Sequence, residues 1–102
     1  MLLAHLIQDL AILQLQGDLH CEVGDISHHS GRVSEGSLFV AIRGTQSDGH
    51  DFVHKAIENG ARAVLVEKPL QPIAGVTIIR VENTRVALAK VSNRFYRFPA
   101  KS

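Results

Sequence analysis

The sequence predicts a single small α/β domain, with a mostly parallel or mixed sheet of about 4–5 strands flanked by about three helices. Two short runs, Leu38–Ile42 and Ala63–Val66, are wholly apolar, which is typical of strands buried on both faces. A helix-like segment lies between them, so the three together predict a right-handed, parallel βαβ unit. At 102 residues the chain has room for only one hydrophobic core.

The first third of the chain is predicted to contain one helix followed by short strands. Apolar residues recur at close to helical spacing over residues 2–15, and Gly17 follows as a stop signal. The polar stretch over residues 18–37 is broken by glycines and carries strand-like pieces at residues 20–23 and 25–27.

The second half is predicted to supply two more helices and a third strong strand. One helix begins at Asp48 or Asp51 as its N-cap and ends at Asn59–Gly60. The run Val76–Val81 is rich in β-branched residues and predicts a strand. Thr84 is predicted to cap a final helix that extends through residue 96.

Composition excludes several classes of protein. Apolar residues make up 45%, charged residues 21%, and the net charge is +1, which does not fit a polybasic nucleic-acid binder. No apolar run approaches the roughly 20 residues that span a bilayer. The single cysteine, Cys21, excludes an internal disulfide and fits a reducing compartment. We therefore expect a cytoplasmic protein with neither nucleic acid nor membrane as a partner.

The loop over residues 44–51 is the first candidate binding segment. It follows a buried strand and precedes a helix start, where ligands bind in open α/β sheets. Its glycines allow close backbone approach, while its hydroxyl and amide groups suit an anion and a polar ring. The residues that could contact such a ligand are Gly44, Thr45, Gln46, Ser47, Asp48 and His50. The alternative, which the local chemistry leaves open, is a well-capped turn without a ligand.

The turn His28–Arg32 is the second candidate. The Ser30 hydroxyl, the flexible Gly31 and the Arg32 guanidinium lie within three residues and could meet a diphosphate. His28 and His29 are expected to point apart on an extended chain.

No metal or catalytic site is predicted. His50 and His54 are four residues apart at a helix start, but no carboxylate or cysteine completes a recognisable ligand set. The carboxylates, Glu67 among them, are scattered at termini and turns and are expected to solvate the surface. A phosphate-binding GxxxxGK[ST] loop is absent from the sequence, so ATP use by this chain alone is not expected.

Three segments resemble one known family. The stretch Gly36–Phe52, which reads GSLFVAIRGTQSDGHDF, is similar to the N-terminal-domain signature of the Mur ligases. The similarity continues through Ala56–Glu67, which reads AIENGARAVLVE, and through Val81–Arg85, which reads VENTR. The chain resembles MurE-type ligases, which add the third residue of the peptidoglycan peptide, with MurF-type ligases as the sister group.

The resemblance implies both a fold and a function. Residues 1–102 would form the N-terminal domain that binds the UDP end of a UDP-MurNAc-peptide such as UDP-MurNAc-L-Ala-D-Glu. Thr45, Gln46 and Ser47 would lie on the loop that contacts the nucleotide, and Ser30 would contact the diphosphate. The parent ligase would use ATP and Mg²⁺ in central and C-terminal domains that this chain lacks, so the chain should be inactive alone and bind no cofactor itself.

One position departs from the family pattern. Mur ligases usually have Asp-Ser-Arg where this chain has His29-Ser30-Gly31, and Arg32 follows as a candidate replacement for the guanidinium. A binding or scaffolding module that kept the fold and lost its ligand is therefore an alternative, as is the equivalent domain of a MurF-like ligase. A free-standing enzyme would need catalytic residues that the sequence does not offer.

Overall fold

A computed structural model describes residues 1–44 and 48–100, with side chains described as far as Tyr96 in the last helix. These residues form a five-stranded mixed sheet and three helices, which confirms the predicted fold class. The helices are α1 (Leu3–Leu6), α2 (Val53–Glu58) and α3 (Thr84–Ala100). The strands are β1 (Ile12–Gln16), β2 (Asp25–Ser27), β3 (Ser37–Val40), β4 (Ala63–Val66) and β5 (Thr77–Val81). Two short 3₁₀ turns lie at Ser30–Arg32 and Gly49–Phe52.

The sheet order is β1-β5-β4-β3-β2, and all neighbours except β1 and β5 pair in parallel. β3, α2 and β4 form the predicted parallel unit, with Phe39 opposite Val64. Every residue of β3 and β4 is buried. One apolar cluster packs the sheet against α1 and α3, and the other packs its opposite face against α2. The carboxyl ends of β2, β3, β4 and β5 therefore meet at one edge of the sheet.

The first helix is much shorter than predicted. α1 spans only Leu3–Leu6, and the predicted helix over residues 2–15 is wrong beyond it, because Ile12–Gln16 forms the antiparallel edge strand β1. Leu13 and Leu15 are 56% and 39% exposed, so they do not form a buried helical stripe. Their spacing also fits the two-residue period of a strand, and the backbone of this segment pairs with β5.

Residues 20–23 also differ from their predicted strand. They contribute a single isolated bridge, between Glu22 and Leu2, rather than a strand of the sheet. The second strand-like piece, residues 25–27, is present as β2.

Asn83, rather than Thr84, caps α3. The Asn83 Oδ1 atom accepts hydrogen bonds from the backbone N–H groups of Arg85 (2.9 Å) and Val86 (3.2 Å). Thr84 is fully buried, so its hydroxyl is directed into the protein instead. α2, by contrast, ends as predicted, because Gly60 adopts a positive φ of 116° that L-residues with a side chain rarely adopt. Among the described residues, no helix combines the length and apolar character needed to cross a bilayer.

Candidate functional site

A cleft lies at the carboxyl ends of β2 and β3, on the face of the sheet that α2 covers. It joins the two segments singled out in the sequence, the turn after β2 and the loop after β3. Its volume of about 410 Å³ falls within the range of small-molecule sites. Its lining residues are His28, His29, Ser30, Gly31, Phe39, Ile42, Gly44, Gly49 and Phe52.

On one side of the cleft, the turn after β2 presents Ser30. The side chain of Asn59 at the end of α2 donates a 2.8 Å hydrogen bond to the Ser30 carbonyl, which fixes the backbone at this point. Ser30 is half-buried, and its hydroxyl has no hydrogen bond to any residue within 1–44 or 48–100. The hydroxyl is therefore available to a ligand in the cleft.

His28 and His29 lie beside Ser30 with their rings together. The ring centroids are 4.5 Å apart and the planes are tilted by 39°, so the expectation that these side chains point apart is wrong. The Ser27 hydroxyl donates to the His29 carbonyl (3.0 Å) and accepts from the His29 N–H (3.1 Å). This local turn bends the chain away from a straight extended course, and both imidazoles line the cleft.

On the other side of the cleft, Gly49 holds the loop close to the end of β3. Its N–H donates a 2.8 Å hydrogen bond to the Ile42 carbonyl. A Cβ atom at residue 49 would lie 2.6 Å from the Ile42 nitrogen, so only glycine fits without movement of the backbone. Phe52, which is 41% exposed, adds an aromatic ring to the cleft wall. Thr45, Gln46 and Ser47 lie outside the described residues.

Asp48 and His50 stabilise this side of the cleft without lining it. Asp48 Oδ1 accepts from the His50 backbone N–H (3.0 Å) and from His50 Nδ1 (2.6 Å), while its Oδ2 accepts from Lys68 Nζ (2.8 Å). The hydrogen bond from the Lys68 ammonium and those from His50 hold the pKa of the Asp48 carboxyl well below its usual range. The carboxylate is thereby kept charged, with both of its oxygens engaged.

His50 links the loop to β4. Its Nε2 accepts a 2.8 Å hydrogen bond from the backbone N–H of Glu67, so the proton of the neutral ring lies on Nδ1 and is donated to Asp48. The side chain is only 4% exposed. Neither Asp48 nor His50 lines the cleft, and their positions make them supports for the loop.

Glu67 extends the same support to α3. Its Oε2 accepts from the backbone N–H (2.9 Å) and hydroxyl (3.1 Å) of Thr84, and its carbonyl accepts from Arg80 Nε (3.2 Å). With its side chain 20% exposed, Glu67 does not merely solvate the surface, as the sequence had indicated. Glu67 and Lys68 follow β4 directly, just as the candidate loop follows β3. Because parallel strands end at one edge, that shared position is a signal that could have predicted their contact with the loop.

Two other sequence candidates lie away from the cleft. Arg32 is exposed and does not line it, so the structure gives no contact between its guanidinium and Ser30. His54 is exposed on α2 and does not join His50 in a ligand set. In the part of the chain that the structure describes, no group of three or more His, Cys, Asp or Glu side chains is placed to hold a metal ion.

A second depression, of about 430 Å³, lies at the opposite edge of the sheet. Glu35 and Glu58 both line it, and the Arg62 guanidinium there lies 3.7 Å from Glu35. Two carboxylates against one partly neutralised cation would repel a diphosphate. The cleft beside Ser30, which no carboxylate among the described residues lines, is therefore the better anion site.

The chain belongs to the Mur ligase family. The model described as "Mur ligase family, catalytic domain" matches residues 22–96, and the fold is that of the N-terminal domain of these proteins. The chain is 40% identical over 101 residues to the UDP-N-acetylmuramoyl-L-alanyl-D-glutamate–2,6-diaminopimelate ligase of Clostridioides difficile (strain 630), covering 99% of this chain and 21% of that protein. It is 43% identical over 102 residues to the ligase of the same name from Syntrophomonas wolfei, covering 100% of this chain and 21% of that protein.

Solved structures give the same fold. MurF from Acinetobacter baumannii matches with a TM-score of 0.74 and 26% identity, covering 87% of this chain and 19% of that chain. The chain thus spans about a fifth of the length of the ligases it matches. The predicted relationship to MurE-type ligases, with MurF as the structural sister, is confirmed.

Proposed function

We propose that this chain binds the UDP end of a UDP-MurNAc-peptide in the cleft beside Ser30, as the N-terminal domain of a MurE-like ligase. The observation that supports this most is the meeting of two segments at the carboxyl ends of β2 and β3. Ser30 supplies a hydroxyl with no partner among the described residues, and the lining residues Gly44 and Gly49 have no side chain to obstruct a ligand beside it. A diphosphate needs a donor such as this hydroxyl, and Phe52 supplies a ring for a base or ribose.

Within this proposal, the predicted site residues divide into two roles. Ser30 and Gly44 line the cleft and contact the ligand, together with Thr45, Gln46 and Ser47 on the loop as the family resemblance implies. Asp48 and His50 hold the loop in place, because their polar atoms are engaged with each other, with Lys68 and with Glu67.

The remaining steps of ligation belong to other parts of the parent enzyme. The relatives are named for joining UDP-N-acetylmuramoyl-L-alanyl-D-glutamate to 2,6-diaminopimelate. We assign the ATP and Mg²⁺ of such a reaction to central and C-terminal domains, since this chain contains no phosphate-binding GxxxxGK[ST] sequence. Alone, the chain should bind precursor without ligating it. We place this binding in the cytoplasm, with no nucleic acid or membrane as a partner, because a single cysteine fits a reducing compartment and a net charge of +1 gives no polybasic surface.

Isothermal titration of the chain with UDP-MurNAc-L-Ala-D-Glu, and separately with UDP, tests the proposal. We expect both to bind, and we expect Ser30→Ala to weaken each by about tenfold, because one charge-assisted hydrogen bond is lost. Ser92→Ala is the matched control, since Ser92 lies in α3 and does not line the cleft.

Absence of heat from either ligand at high micromolar protein would overturn the proposal. A scaffolding module that has lost its ligand would give no heat, and adding either ligand would not change its unfolding temperature. The equivalent domain of a MurF-like ligase, which the A. baumannii structural match also fits, would bind UDP equally. Fusing the chain to the remaining domains of each ligase type and assaying amide formation would separate the two.

A further inference from the structure

The cleft is lined by two histidines, His28 and His29, to which the proposed function assigns no role. Of its lining residues, only His28 and His29 can become positively charged. Within residues 1–44 and 48–100, no group hydrogen-bonds to their ring nitrogens. Three other cations lie on neighbouring segments: Arg32 and Arg43 do not line the cleft, the Arg43 guanidinium lies 3.9 Å from Glu67, and Lys68 is bonded to Asp48.

We propose that His28 and His29 together contact the diphosphate of the bound UDP-sugar, so that binding takes up protons and strengthens as pH falls. This rests on the proposed function, because it concerns the same cleft. The imidazoles flank Ser30, whose hydroxyl would meet the same phosphates. Their N–H groups give charge-assisted hydrogen bonds to phosphate oxygens when the rings are protonated.

The distance between the rings explains why ligand and protons should be coupled. The ring centroids are 4.5 Å apart, so one diphosphate can lie against both rings. A diphosphate diester carries two negative charges, which attract protonated imidazoles and not neutral ones. The bound state therefore favours a more highly protonated pair than the free state does, and binding must draw protons from the buffer.

The charged groups around the pair do not supply a competing partner. The Ser27 hydroxyl bonds the His29 backbone and not its ring. The titratable and charged residues on the elements packed around the cleft, none of which lines it, are Asp25, Arg32, Arg43, Asp48, His50, Asp51, His54, Lys55 and Glu58. Of these, the His50 ring is engaged with Asp48 and Glu67, and the Asp25 carboxylate accepts from the Tyr96 hydroxyl.

UDP-N-acetylglucosamine is the probe for this inference. The terminal phosphate of UDP has a second pKa of about 6 and would itself titrate with the histidines. Each phosphate of a UDP-sugar has one ester bond and shares the anhydride bond with the other phosphate, so each keeps a single negative charge over the same pH range. Uridine is the companion probe, because it occupies the base and ribose part of the cleft without phosphates.

We expect the wild-type chain to bind UDP-N-acetylglucosamine about tenfold more tightly at about pH 6 than at about pH 8, with uridine affinity unchanged. Titrations in buffers of different ionisation enthalpy should show net proton uptake on binding. His28→Gln/His29→Gln should lose the pH dependence and the proton uptake. His29→Arg should bind at pH 8 about as tightly as wild type does at pH 6. His5→Gln, an exposed histidine on α1 remote from the cleft, is the control.

Three results would overturn the inference, and they differ from failure of the proposed function. UDP-N-acetylglucosamine could bind wild type and the double variant equally at both pH values. The double variant could lose its affinity for uridine as well, while unfolding at the same temperature as wild type. That result would mean that the two histidines shape the part of the cleft that holds the base and do not contact the diphosphate. Neither ligand could bind wild type at any pH, and only this third result would also reject the proposed function.

Discussion

The two sides of the cleft are held very differently. On the loop side, Gly49 is hydrogen-bonded to Ile42 just after β3, and Asp48 and His50 connect the loop to Lys68 and to the backbone of Glu67 just after β4. On the turn side, one Asn59 side chain bonds the Ser30 carbonyl, and the histidines beside it are exposed. One side is built into the sheet edge, and the other is attached to it lightly.

This difference indicates how the site can change without loss of the fold. Residues of the loop side are tied to β4 through buried groups, and replacing one of them leaves its partner unsatisfied. On the turn side, the hydrogen bonds described for His29 and Ser30, apart from that of Asn59, stay within the turn itself. The departure from the family's Asp-Ser-Arg pattern falls on the lightly held side, at His29-Ser30-Gly31. On the turn side, the charge of the side chains next to the ligand can therefore change with little loss in the free energy of unfolding.

Substitution of one glycine on each side of the cleft is expected to show the largest difference between the two sides. Gly49→Ala places a Cβ atom 2.6 Å from the Ile42 nitrogen and 2.9 Å from its carbonyl oxygen, so we expect a loss of about 3 kcal/mol in the free energy of unfolding. Gly31→Ala meets no atom within 4 Å and should change it by less than about 0.5 kcal/mol. Urea unfolding measures both. Equal effects of the two substitutions would contradict the difference between the sides.

Asp48→Asn probes the charge of the loop side. Because the folded state lowers the pKa of Asp48, its carboxylate stabilises the protein fully above the unfolded-state pKa of about 3.9. That stability is lost as pH falls toward the lower folded-state pKa. We therefore expect Asp48→Asn to destabilise the chain by about 1 kcal/mol at pH 7, and the difference from wild type should shrink as pH is lowered to about 3.

Denaturant titration at a series of pH values measures this effect. Asp51→Asn is the matched control, because Asp51 is exposed in the same 3₁₀ turn and bonds no described residue through its side chain. A destabilisation by Asp48→Asn that stayed constant from pH 7 to pH 3 would mean that the carboxylate charge is not what holds the loop.

The smallest expected effect concerns the single link to the turn side. Asn59→Ala removes the 2.8 Å hydrogen bond to the Ser30 carbonyl, and we expect it to reduce the free energy of unfolding by about 0.5 kcal/mol. Affinity for UDP-N-acetylglucosamine should fall about threefold, because Ser30 is no longer held in place. Gln71→Ala, at an exposed amide in a distant loop, should change neither. A loss of stability above about 2 kcal/mol would show that the turn is held as firmly as the loop.

Much of this architecture could be predicted from local patterns. The apolar runs of β3 and β4, the β-branched run of β5 and the glycine stop after α2 each depend on neighbouring residues only. The first helix could not be predicted in this way, because the spacing of Leu13 and Leu15 fits two periods. Pairing with β5, 60 or more residues away along the chain, decided between them. The role of Thr84 could not be predicted either, because its partner Glu67 is remote in sequence.

By itself, the sequence determined the fold class, the family and the two segments from which the cleft is made. The fold class, the family and the two segments follow from residue types and their order, because these set local propensity and the pattern of apolar residues. Only the tertiary structure decided which groups face the ligand. It turned His50 inward to Asp48 and Glu67, left Arg32 outside the cleft, and set His28 against His29 beside Ser30. The physical reason is that hydrogen bonds across the ends of parallel strands join residues far apart in the chain, and their partners exist only once the sheet has formed.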